Sequence, residues 1–184
     1  MGGFQTSELS IVAGSNLLDE GGSTHEILEV IIHEDYTVGQ MWKNDLCVIK
    51  VNPPFALENG TAAVILETNA QDPPNNSNAT LVGWGSLSIQ SQISNDLRKA
   101  ALPIVERTAC QKDYGIDAEI YESQICAGGN GDKDACRGDG GGPLFVDQKQ
   151  VGILSWGRPC AYAGFPSVYT KVSHYIDWIK HHTQ

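Results

Sequence analysis

The chain has 184 residues, enough for one or two small domains, and its 41% hydrophobic content is that of a folded globular protein rather than a disordered one. A formal net charge of -10 disfavours nucleic acid and anionic membrane as partners, and no apolar run of about 18 residues is present that would span a bilayer as a helix.

Residues 1–8 (M-G-G-F-Q-T-S-E) contain neither a basic stretch nor an apolar one, so no signal peptide is expected within this chain. Residues 26–32 and 46–51 are short β-rich runs bounded by turn formers and read as strands. In the second run Asp45, Cys47 and Ile49 fall on one face and Leu46 and Val48 on the other, and Cys47 reads as a small buried hydrophobe. Residues 71–78 (Q-D-P-P-N-N-S-N) are rich in turn formers and read as a linker. Residues 173–182 read as a terminal helix, with Ser173 as N-cap and Tyr175, Ile176 and Ile179 on its apolar stripe. His174, His181 and His182 accompany that helix, where positive charge suits the dipole at the C-terminal end. Five cysteines are present and none forms a metal-type C-x-x-C pair. Sequons begin at Asn59, Asn75 and Asn78, and their clustering is modest support for a glycoprotein.

The most informative stretch is D-A-C-R-G-D-G-G-G-P-L, residues 134–144. Glycines in such a loop permit unusual dihedrals and let a ligand approach the backbone N–H groups. The stretch closely resembles the active-site loop of the trypsin-like (chymotrypsin-fold) serine proteases, G-D-S-G-G-P-L, with Gly140 where that family carries its nucleophilic serine. N-D-L-C-V-I-K-V, residues 44–51, resembles the family's N-D-I-A-L-L-K-L, which makes Asp45 the triad aspartate. It precedes Gly140 by 95 residues, against about 93 between aspartate and serine in the family's triad. The family's histidine precedes its aspartate by about 45 residues, and no A-A-H-C segment occurs here. His33, only 12 residues before Asp45, reads as a solvent-facing residue at a strand end, and so does His25. S-I-V-A-G, residues 10–14, is similar to the N-terminus of an activated trypsin, but the same spacing places it in a strand instead.

The resemblance implies an all-β fold, a chymotrypsin-like double β-barrel followed by a C-terminal helix. Residues 1–70 would be a remnant of the N-terminal barrel, lacking its opening half. Residues 71–79 would be the interdomain linker, and residues 80–184 a complete C-terminal barrel with the terminal helix. It pairs Cys110 with Cys126 and Cys136 with Cys160, leaves Cys47 single, and implies a secreted protein, since two disulfides need an oxidising compartment. It makes Gly138 and position 140 the oxyanion-hole N–H donors and Asp139 the loop aspartate that binds the α-amino group released by zymogen cleavage. Lacking that group, Asp139 is expected without its natural partner, in a zymogen-like or mobile loop.

Substrate contacts fall, by the same resemblance, to Ser155, Trp156 and Gly157 in the strand that lines the substrate backbone, to Asp134 at the floor of an Arg/Lys pocket, and to Ser167. Ser167 and Pro159 both stand where the pocket often has glycine, and Ser167 would project into the path of a basic side chain. No cofactor and no metal is implied. The run D-K-D-A-C, residues 132–136, begins like a calcium loop but has no closing glutamate. R-G-D, residues 137–139, reads as coincidence within a loop tied by Cys136. The expectation is a serine-endopeptidase homologue without catalysis of its own, acting by binding a protein or peptide such as a protease inhibitor or an active protease. The alternative is an altered or partial copy of an active secreted endopeptidase that cleaves after Arg or Lys.

Overall fold

The computed structural model describes residues 9–37, 39, 42–58, 60–158 and 160–183. Asn59 and Pro159 lie outside them. Among the described residues the fold is mostly β. Three strands, β1 (Ser10–Ala13), β2 (Ser23–Ile32) and β3 (Cys47–Asn52), form an antiparallel sheet in sequence order. Ser10–Ala13 thus supply a strand, as the spacing predicts.

The second unit is built from β5 (Asn78–Gly83), β6 (Arg98–Val105), β7 (Gln124–Ala127), β8 (Pro143–Val146), β9 (Lys149–Trp156) and β10 (Ser167–Lys171). These six run β10-β7-β6-β5-β8-β9, and β9 pairs again with β10 and closes the barrel. The two-residue β4 (Ile65–Leu66) adds in parallel to β9, so backbone hydrogen bonds join the chain before the linker to the barrel.

Period-two patterning explains the core. In β5 Ala79 and Leu81 point inward, and in β6 Leu102 and Ile104 do the same, all nearly inaccessible. With Ile125, Leu144, Val151, Leu154 and Tyr169 they fill the barrel. β10, between β7 and β9, is buried along its whole length. Its outer face meets α1 (Arg107–Tyr114) through a second cluster that contains Cys110, Tyr114, Cys126 and Val168. Burial pushes the Tyr114 phenol up to about 12, and its hydroxyl donates to Pro166 O at 2.7 Å. Cys110–Cys126 and Cys136–Cys160 are both bonded. The first closes a 16-residue separation, so replacing both its cysteines by alanine is expected to cost about 3 kcal/mol. Urea denaturation of the variant checks this.

Three local expectations are corrected. Cys47 is exposed, not buried. The alternation itself holds, with Leu46 buried and Val48 half-buried, but the face that carries Cys47 and Ile49 is open, together with Leu28, Val30 and Ile32 of β2. Burial of part of the Cys47 side chain and the nearby Asp45 charge still push its thiol up, away from reactive thiolate character. His25 is no exposed strand-end residue. It is buried within β2, with Nε2 2.9 Å from Ser23 Oγ and Nδ1 2.5 Å from Pro53 O. Ser173 does not cap the terminal helix. It lies inside a 3-10 turn, Val172–Tyr175, and α2 (Ile176–His182) follows without a side-chain cap. Tyr175 of the expected stripe is buried there because its hydroxyl reaches Asn44 Oδ1 at 2.7 Å.

Candidate functional site

The loop of residues 134–142 lies between β7 and β8 and is held from three sides. Cys136 ties it to Cys160. Ser86 N donates to Arg137 O at 2.9 Å. Asp139 accepts from Gly85 N at 2.8 Å and from Cys136 N at 3.0 Å. In place of the α-amino group that the resemblance calls for, two backbone N–H groups bind the Asp139 carboxylate. That engagement also occupies the acid of the R-G-D tripeptide. Gly138 sits at φ +96°, where a side chain is strained, and a Cβ there would lie 2.8 Å from Ile93 Cγ2. Gly140 differs: a Cβ built on it meets nothing within 4 Å.

Asp45 is half-buried and its Oδ2 accepts from Ser155 Oγ at 2.6 Å, while Thr170 Oγ1 donates to Asp45 O at 2.7 Å. Burial pushes the Asp45 carboxyl up and the Ser155 bond pulls it back. No described histidine hydrogen-bonds to Asp45. His33 instead stacks on Trp178, with ring centroids 5.1 Å apart. A raised folded pKa means that the carboxyl contributes stability below the ordinary value of 3.8, which is lost as pH rises through the raised value. Asp45→Asn is therefore expected to gain in relative stability as pH is raised from 3 to 7, read from denaturation midpoints at both pH values.

Beside Gly140 lies an open cleft of about 400 Å³, lined by Gly138, Ser155, Trp156, Gly157 and Ser167 among others. The structure thus brings most of the sequence-predicted site residues to one place. Asp45, Asp134 and Asp139 are not in its lining, and Asp134 is the one expected to meet a substrate side chain. Its carboxylate accepts from Gly129 N at 3.0 Å and from Ala135 N at 2.8 Å, and burial pushes its pKa up against those bonds and a bond from the Ser167 hydroxyl. It lines a separate cavity of about 630 Å³ with Gly83, Gly85 and Asp139. Ser167 stands between Asp134 and the cleft, and its Cα and Oγ would lie 3.2 Å from a Cβ on Gly157. The Ser167 side chain narrows the expected slot on the side of Gly157.

Arg137 and Arg158 also line the cleft. Sequence reasoning did not assign either to the site, although Arg137 lies within the loop and Arg158 follows Gly157 directly. Among the described residues no group of three or more His, Cys, Asp or Glu side chains is placed to hold a metal ion, and no helix is long and apolar enough to cross a membrane.

A family model described as Trypsin matches residues 4–179. Trypsin-1 of Astacus astacus is 38% identical over 182 residues, which cover 95% of this chain and 75% of the relative. Trypsin Blo t 3 of Blomia tropicalis is 37% identical, covering 97% of this chain and 68% of its own length. Hypodermin-B of Hypoderma lineatum is 38% identical, covering 96% and 68%.

Proposed function

The chain belongs to the trypsin-like serine protease family, and from that premise we propose that it is a non-catalytic member that acts by binding a protein or peptide. One observation carries the reading: position 140 is glycine in a loop whose other parts are in place. A backbone N–H can help to stabilise an oxyanion, but acyl transfer needs a nucleophile, and glycine offers none. The Ser155 hydroxyl of the cleft donates directly to the Asp45 carboxylate, and among the described residues no histidine stands between them. The ligand is proposed to be a peptide segment of a protease inhibitor or of an active protease. Secretion and glycosylation at Asn75 and Asn78 are part of the same proposal. Two disulfides and the exposure of both asparagines support them.

The test is a fluorophosphonate probe on the purified chain, with a panel of fluorogenic peptides. No labelling and no turnover are expected; covalent labelling would sink the reading. A second reading, an altered copy of an active endopeptidase that cleaves after Arg or Lys, is favoured by the open space at the Gly140 Cβ position, which a serine side chain would fit. A serine codon at position 140 in the native transcript would decide for it.

A further inference from the structure

We propose that the cleft beside Gly140 takes an anion, the free C-terminal carboxylate of an acidic peptide, rather than the basic side chain that an aspartate at position 134 would call for. The inference rests on the binding reading above and names the ligand class of that site.

The charges on the cleft wall carry it. Two guanidinium groups, those of Arg137 and Arg158, line the cleft, and no Asp or Glu does. The Arg137 Nη2 donates to Ser91 O at 3.1 Å, and among the described residues Arg137 pairs with no carboxylate. Arg158 is partly engaged: its Nη2 lies 3.3 Å from Asp117 Oδ2 and its guanidinium lies 4.6 Å over the Phe165 ring. The one acid that could attract a cation, Asp134, is half-buried outside the cleft lining and spends its oxygens on Gly129 N, Ala135 N and the Ser167 hydroxyl.

Hydrogen-bond donors point to the same ligand. The N–H groups of Gly138 and Gly140 donate to no other described residue, while their neighbours Asp139, Gly141 and Gly142 all do. The two free N–H groups flank Asp139, and free backbone donors this close to a residue of positive φ can cradle an oxyanion. Unpaired donors and guanidinium groups together suit a planar carboxylate, which arginine binds with two parallel bonds.

Shape restricts the ligand further. A Cβ on Gly157 would lie only 3.2 Å from Ser167 Cα and Oγ, so the slot between these two walls is narrower there than one flanked by two glycines. A chain terminus needs no such slot, since its carboxylate can reach the Gly138 and Gly140 N–H groups from the open side. The net charge of -10 repels anions at a distance, so recognition here is local, and an acidic last residue adds a second carboxylate for the two arginines.

The test is calorimetric titration of the purified chain with four probes: acetyl-Ala-Ala-Glu with a free carboxylate, its C-terminal amide, acetyl-Ala-Ala-Lys with a free carboxylate, and benzamidine. The free acidic peptide is expected to bind most tightly, with roughly tenfold loss on amidation and a similar loss in Arg137→Gln, each about one charge-assisted bond. An unchanged thermal melt of Arg137→Gln shows that the variant is folded. Tighter binding of benzamidine or of the lysine peptide overturns the inference in favour of the Asp134 pocket. Absence of binding by all four probes also overturns it, and leaves the non-catalytic reading standing, because that is judged by probe labelling. Cleavage or covalent labelling removes the non-catalytic reading itself.

Discussion

Gly140→Ser is expected to restore no measurable peptide hydrolysis in this 184-residue chain. Space is not the obstacle, because a Cβ at Gly140 meets nothing within 4 Å and the loop can hold a serine. The obstacle is the missing base. A serine hydroxyl is a poor nucleophile until an imidazole takes its proton, and Asp45 receives its hydrogen bond from Ser155, not from a histidine. Where a triad acts as a unit, loss of the base alone costs roughly six orders of magnitude, about as much as loss of the whole triad. Fluorogenic hydrolysis and fluorophosphonate labelling of the variant are the measurements. Rapid labelling would mean that another group activates position 140, and the account of Asp45 would be wrong.

Gly85→Ala is expected to dismantle the same loop from the other side. A Cβ on Gly85 would overlap the Asp139 carboxylate, which receives the N–H groups of Gly85 and Cys136. Asp139 would have to leave both donors, and the loop would lose the contact that orients residues 136–140. Two charge-assisted bonds are lost, and a half-buried carboxylate is left to find new partners, for a combined cost of roughly 3–5 kcal/mol. That is a large part of the 5–15 kcal/mol by which most domains are stable. Urea denaturation measures the cost, and titration with an acidic peptide reads the loss of the cleft. An alanine variant with unchanged stability and binding would show that Asp139 does not hold the loop.

These predictions concern a site that was only half legible beforehand. The loop string of residues 134–144 and the N-D-L motif at residues 44–46 are local, so their likeness to the family could be read without a structure. Both disulfide pairings followed from the same likeness. Strands at residues 26–32 and 46–51 showed as β-rich runs bounded by turn formers, because those residue types favour a pleated backbone wherever they pack. Arg137 was visible only as part of an R-G-D string, because nothing local states which wall of a cleft a loop side chain joins.

By itself, then, the sequence determined the family, the mostly-β fold and the absence of a hydroxyl at position 140. These depend on residue type and short-range order. Only the tertiary structure decided where Asp134 spends its charge, that Ser167 comes close to Gly157, that Asp139 finds Gly85, and that Cys47 faces outward. Each of those depends on contacts between residues far apart in the chain, such as Gly85 with Asp139 and Asp45 with Ser155. Such contacts are set by how the strands close into a barrel and how the first sheet docks on it, and no run of neighbouring residues encodes that.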